Sequence, residues 1–242
     1  MNEDMDFNIP IVGGGAFNFS ATKPEVLGAT EYTIVTLVVD ISGSVIPFSN
    51  ELLETVKSVV TACQKSPRAE NLLFRLISFN DTVMEVHGFV QLNGIKADDY
   101  QALQCGGRTA LFDAVHEAIG ATISYGQRLI DQDFDANAIV FVVTDGLDWG
   151  STMTPRTIKD LVDKAVIGEQ LESLTTILVG VNADDCEDAL ERFVKEANLS
   201  QFINIGDVTP QKLAKLAQFV SKSISSTSQS LGTGGASQQL IF

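Results

Sequence analysis

Tryptophan occurs once in this chain of 242 residues, histidine twice and cysteine three times. His87 and His116 leave little imidazole for catalysis, and neither stands at ligand spacing from Cys63, Cys105 or Cys186, which speaks against zinc. Three scattered cysteines are not a disulfide framework and point to a reducing, cytoplasmic compartment. Basic residues are scarce too: 16 Lys and Arg stand against 31 Asp and Glu, a net charge of −15. Nucleic acid and anionic membrane surfaces both require lysine and arginine opposite phosphate, so neither is an expected partner. No run approaches the roughly 20 apolar residues that span a bilayer. The acidic opening MNEDMDFNIPIV is unlike a basic targeting signal.

The hydrophobic fraction, 45%, suits a globular core. Residues 1–31 match no clear period and read as an N-terminal arm, either docked in extended form or mobile. Residues 225–242, SSTSQSLGTGGASQQLIF, carry no charge and read as a flexible tail ending on three apolar residues, Leu240, Ile241 and Phe242. Between them, residues 32–224 alternate strand and helix patterns. YTIVTLVVD reads as a central strand. ELLETVKSVVTAC places Leu52, Leu53, Val56, Val59, Val60 and Cys63 on one helical face. LLFRLISF and TVMEVHGFV are joined by Asn80 and Asp81, a short polar link that signals an antiparallel hairpin. LFDAVHEAIGATISYGQRLI is helical, and NAIVFVVTDG is a strand ending on aspartate. Thr154-Pro155 and Thr209-Pro210 each open a helix, the second running to about Ile224, with the strands LTTILVGV and FINIG between. Such alternation gives an α/β fold, a mostly parallel sheet with helices on both faces. Ligands of such sheets bind outside the carboxyl ends of the strands.

Three stretches converge on that edge: Asp40-Ile41-Ser42-Gly43-Ser44, the Thr109 of GGRTALFDA just before a helix, and Thr144-Asp145-Gly146 at a strand end. Two carboxylates and several hydroxyls are oxygen-only donors, suited to a hard divalent cation such as Mg²⁺, Mn²⁺ or Ca²⁺. The two charges roughly cancel the ion. Neutral hydroxyls in direct contact would leave it electrophilic toward one more anionic oxygen, such as a partner's carboxylate.

DISGS, the threonine of GGRTALFDA and TDG, in this order and at these element ends, resemble the metal-ion-dependent adhesion site of von Willebrand factor A domains. The resemblance spans about Tyr32 to Ile224. It implies a Rossmann-like fold with a central, mostly parallel six-stranded sheet and one antiparallel edge strand. It implies that Ser42, Ser44 and Thr109 contact a metal by their hydroxyls, with Asp40 and Asp145 acting through waters or those hydroxyls. It further implies a protein-binding adaptor or scaffold of the intracellular prokaryotic or phage type, not an enzyme, working beside an AAA+ ATPase or in a stress-response gene set. The ending FVSKSISSTSQSLG loosely resembles tellurite-resistance proteins of the TerY type. Arg108, before Thr109, either helps hold an incoming carboxylate or faces water. Trp149 sits in a loop at the rim, as a partner anchor or as a packed side chain.

Other chemistries fit less well. A haloacid-dehalogenase-type phosphatase needs an acid two residues after its first aspartate, where this chain has Ser42. A serine hydrolase needs Gly-x-Ser-x-Gly, but Asp40 and Ser44 occupy the glycine positions around Ser42. Neither GGG at Gly13 nor GTGG at Gly232 continues into a phosphate-binding loop. A structural reading keeps the fold but gives the function to the arms, which would join copies into a homo-oligomer by strand addition.

Overall fold

The computed structural model describes residues 4–10, 16–167, 171–233 and 240–242. Its strands are β1 (Asp4–Pro10), β2 (Ala16–Thr22), β3 (Glu31–Asp40), β4 (Leu72–Phe79), β5 (Val83–Gln91), β6 (Asp135–Thr144), β7 (Leu174–Gly180) and β8 (Gln201–Asn204). Its helices are α1 (Ser49–Gln64), α2 (Leu111–Ile130), α3 (Pro155–Ile167), α4 (Glu187–Glu196) and α5 (Pro210–Thr233). The strands form one sheet in the order β1-β2-β5-β4-β3-β6-β7-β8.

The centre is parallel: β3 pairs with β4 and β6, β6 with β7, and β7 with β8. Its strands are buried on both faces, so β3 reads as a near-continuous apolar run. Tyr32, Ile34 and Val38 of β3 pack toward α2, α3 and α4, while Val35, Leu37 and Val39 pack toward α1 and α5. The apolar face expected of α1 is buried as a whole. The two Thr-Pro helix starts form as expected. The Thr154 hydroxyl accepts from the Thr157 N–H at 3.3 Å, and the Thr209 hydroxyl accepts from the Lys212 N–H at 3.3 Å.

Three expectations need correction. The sheet has eight strands among the described residues, not six, because the expected arm supplies two of them. β1 and β2 pair antiparallel, and β2 adds to β5 through Ala21 opposite Phe89. Phe17, Phe19 and Ala21 alternate inward, and burying each phenylalanine is worth about 1.5–3 kcal/mol. Second, β5 is antiparallel to β4 but is not the edge, since β2 covers it.

Third, α5 passes Ile224 and continues to Thr233 through the stretch expected to be flexible. Two of its small polar residues, Thr227 and Ser228, are buried and tied to distant side chains. The Thr227 carbonyl accepts from Asn137 Nδ2 at 2.7 Å, and Ser228 Oγ accepts from Arg68 Nε at 2.7 Å. Beyond it, Phe242 stacks edge-on against Phe219 with Lys215 Nζ 4.3 Å from its ring centre, and Gln201 Nε2 donates to the Leu240 carbonyl at 3.3 Å. The remainder of the expected tail, residues 234–239, lies outside the described residues, as do 1–3 and 11–15 of the expected arm.

Arg75 of β4 holds the added strand in place. Its side chain is 1% exposed and pairs with Glu85 at 2.6 Å and Glu117 at 2.9 Å, beside the rings of Phe19 and Phe89. Glu85 in turn accepts from the Ser20 N–H at 2.9 Å and the Ser20 hydroxyl at 2.6 Å. Burial pushes the Glu117 carboxyl above its usual range, and Arg75 opposes that shift. Two glycines make room for the strand: a Cβ on Gly120 would lie 1.8 Å from the Phe17 ring, and one on Gly88 would lie 2.0 Å from the Ser20 carbonyl oxygen.

Candidate metal centre at the carboxyl edge of the sheet

Register sets the first contact. β3 and β6 are parallel with Val39 opposite Val143, so Asp40 and Thr144 end their strands side by side. Thr144 Oγ1 donates to Asp40 Oδ2 at 2.7 Å, and the other oxygen, Oδ1, accepts from the Ser42 N–H at 2.8 Å. The chain then turns so that Ser42 Oγ and Ser44 Oγ lie 3.1 Å apart, and Ser44 Oγ donates to Asp145 Oδ1 at 2.9 Å. Asp40, Ser42, Ser44 and Asp145 thus form one connected set of oxygens. Asp40 and Ser42 lie at the buried end and Ser44 at the surface.

The Thr109 loop is clamped against this set by its backbone. The Gly43 N–H donates to the Gly107 carbonyl at 3.1 Å, and the Gly106 N–H donates to the Ile41 carbonyl at 2.8 Å. Gly107 has φ +81, and a Cβ there would lie 2.1 Å from Asp81 Oδ2, so the turn requires glycine. Thr109 itself is buried, and its carbonyl accepts from the Trp149 N–H at 2.7 Å.

Asn80 and Asp81, which the sequence offered only as a hairpin link, brace this loop. Asn80 Nδ2 donates to the Gly106 carbonyl at 2.9 Å, the Asn80 carbonyl accepts from the Ala110 N–H at 2.7 Å, and Asp81 Oδ2 accepts from the Arg108 N–H at 3.1 Å. The available signal was that β4, parallel to β3, must end on the same edge. Arg108 and Trp149 are both exposed, Trp149 to 68%, which settles the tryptophan as a surface side chain.

The electrostatics are those of buried negative charge without a cation. Burial pushes the Asp40 carboxyl up to about 6, against the lowering effect of its hydrogen bonds from Ser42 and Thr144. Burial also raises Asp145, with the Ser44 hydrogen bond opposing. No ion pair among the described residues reaches either carboxylate. Cys105 and Cys186, missed from sequence, lie close enough to feel this charge. Their thiols are raised by burial first, then by Asp40 and Asp145 for Cys105 and by Asp145 for Cys186. No group of three His, Cys, Asp or Glu side chains able to hold a metal occurs among the described residues. Two carboxylates supplemented by hydroxyls nevertheless fit a hard divalent ion, which would supply the counter-charge that Asp40 and Asp145 lack.

A sheet with helices on both faces and these three loops at its carboxyl edge defines an α/β domain built to present oxygen donors. The von Willebrand factor type A domain profile matches residues 35–219, and the chain belongs to that family. No curated protein matches the chain. Among solved structures, the PilB minor pilin from Streptococcus sanguinis aligns over 94% of this chain and 68% of its own, at 14% identity and TM-score 0.57. Proximal thread matrix protein 1 from the mussel byssus aligns over 83% of this chain at 17% identity and TM-score 0.53. This chain covers 48% of that mussel protein's length. A further structure of the mussel protein has a zinc-occupied adhesion motif and aligns over 81% of this chain and 46% of its own, at 17% identity and TM-score 0.51. No helix among the described residues is long and apolar enough to cross a membrane.

Proposed function

We propose that this chain is a metal-dependent protein-binding module and not an enzyme. Ser42, Ser44 and Thr109 would hold a divalent cation by their hydroxyls, with Asp40 and Asp145 supplying charge from behind. Mg²⁺ is the expected ion; the zinc-occupied motif of the mussel protein supports divalent binding in the family more generally. The bound ion would supply an electrophilic centre for an aspartate or glutamate carboxylate of a protein partner. The observation that carries the reading is the connected set from Asp40 through Ser42 and Ser44 to Asp145, whose buried charge no ion pair among the described residues neutralises.

The chain's own residues act by positioning. Thr144 and the Ser42 N–H fix the Asp40 carboxylate, the Ser44–Asp145 hydrogen bond fixes the outer serine, and Asn80 and Asp81 hold the third loop in register. The role is that of an adaptor in a reducing, cytoplasmic setting, which the three free thiols support. An AAA+ ATPase is one partner class consistent with such an adaptor. Self-association through the arms is the competing reading. It would act at β1, an outer strand of the sheet, or require the Leu240–Phe242 segment to leave the place it occupies on its own chain.

The test is capture of partners by wild type in Mg²⁺, wild type in EDTA, and Ser42→Ala. A partner lost in both the chelated and the mutant samples is the expected result. A partner retained in all three moves the function to the arms.

A further inference from the structure

Seven large apolar side chains are exposed among the described residues, and three of them stand on the loops of the metal edge. Ile46, 57% exposed, follows Ser44 by two positions. Leu147, 48% exposed, follows Asp145 by two. Trp149, 68% exposed, is paired through its backbone to Thr109. Single exposed apolar residues are ordinary, but three around one polar centre are not explained by scatter.

The loop carrying Trp149 is held firmly. The start of α2 has N–H groups without helical partners, and the loop supplies acceptors for them. Asp148 Oδ1 accepts from the Phe112 N–H at 3.0 Å, and Ser151 Oγ accepts from the Asp113 N–H at 3.1 Å. In return Asp113 Oδ1 accepts from the N–H groups of Thr152 at 2.9 Å and Met153 at 2.7 Å. Ser151 closes the loop by donating to Asp148. The fold thus fixes the backbone that points an indole into water, and prior ordering reduces what is lost on binding.

We propose, on the basis of the metal-dependent reading above, that this edge selects a partner carboxylate embedded among apolar side chains. Trp149 is the anchor, and Ile46 and Leu147 flank it. The occupant is an aspartate or glutamate on a partner protein with leucine, isoleucine, phenylalanine or methionine beside it, not an acidic tract. Charge decides between the two. Asp40 and Asp145 cancel one divalent ion, so a single incoming carboxylate is already in excess, and Arg108 beside Thr109 is the one basic residue placed on these loops to meet it. A second and third acid would face Asp81, Asp148 and a chain of net charge −15. Apolar flanks act in the other direction: they exclude water from the ion and the carboxylate, where a lower effective dielectric strengthens their attraction.

The experiment selects a random peptide library on the full chain in Mg²⁺ and elutes with EDTA. The eluted peptides should carry one Asp or Glu with an apolar neighbour. For the strongest of them, made synthetically, Trp149→Ala should weaken binding by about 10-fold or more, with smaller losses for Ile46→Ser and Leu147→Ser. Trp149→Phe should recover part of the affinity. All four variants should keep the Mg²⁺-induced rise in melting temperature, which shows that fold and ion are intact. Because Trp149 is the only tryptophan, its emission should also move to the blue as the peptide covers it. Acid-bearing peptides with no apolar preference, or equal binding by Trp149→Ala, would overturn the apolar selection while leaving the metal–carboxylate reading in place. Peptides insensitive to EDTA, or lacking an acid, would overturn both.

Discussion

Replacing Asp40 with asparagine should make the cation-free protein more stable and the protein unresponsive to Mg²⁺. Asp40 is 1% exposed, and its carboxyl is raised from 3.8 to about 6 by burial. The folded state therefore holds the proton more tightly than the unfolded state does. Between pH 4 and 6 the folded state carries more bound protons, so stability falls as pH rises through that window and stays low above it. A displacement of about two pH units corresponds to roughly 3 kcal/mol. Asparagine keeps the shape and removes the charge. Its carbonyl can still accept the Ser42 N–H, and its amide can face Thr144 Oγ1, whose proton already has the Gly146 carbonyl within 3.2 Å.

In EDTA at pH 7.5, Asp40→Asn should melt above wild type by about 6–12 °C, taking about 2–4 °C per kcal/mol for a chain of this size. In wild type, Mg²⁺ at about 100 times its dissociation constant should add about 2.7 kcal/mol, and that gain should fade below pH 6 as protons compete at Asp40. Scanning calorimetry across pH 4–8, with and without Mg²⁺, measures both quantities. A destabilised Asp40→Asn in EDTA, or an undiminished Mg²⁺ gain in the variant, would refute the reasoning.

Three further outcomes test the fold. Arg75→Leu leaves Glu85 and Glu117 without their shared cation and should cost about 3–5 kcal/mol in urea unfolding, part of it recovered by adding Glu117→Gln. Gly120→Ala should displace Phe17 and expose residues 16–22 to limited proteolysis, while α2 gains intrinsic helix propensity of about 1 kcal/mol; unchanged cleavage would contradict the docking. Phe242→Ala removes the contact with Phe219 and the Lys215 ammonium and should lower stability by about 1–2 kcal/mol, read from the urea midpoint.

The elements legible in the sequence were those whose own residues carry a period. β3, β4, β6 and β7 declare themselves by apolar, β-branched runs, and α1 by its six-residue face. β2 alternates too, but Ala16–Thr22 is short and follows a glycine run, so its pattern had no frame until β5 offered a partner. The last turns of α5 were illegible for another reason. Serine and threonine have weak helix propensity, and what holds them here is tertiary: Asn137 and Arg68, about 90 and 160 positions away. At the site, Asp40, Ser42, Ser44, Thr109 and Asp145 could be gathered on one edge because each sits at an element end. Ser151 and the thiols of Cys105 and Cys186 could not, because they come to that edge only through loop conformation.

The glycines under the N-terminal hairpin bear on how this domain can be trimmed. A recombinant fragment starting at Glu31, the natural choice from the family boundary, would uncover Phe89 and Tyr125 and open the outer edge of β5. An open strand beside bared aromatic rings invites a second chain to complete the sheet. β2 therefore serves as a cover carried in cis, and removing it exchanges a shielded β5 edge for one prone to strand-swapped aggregation.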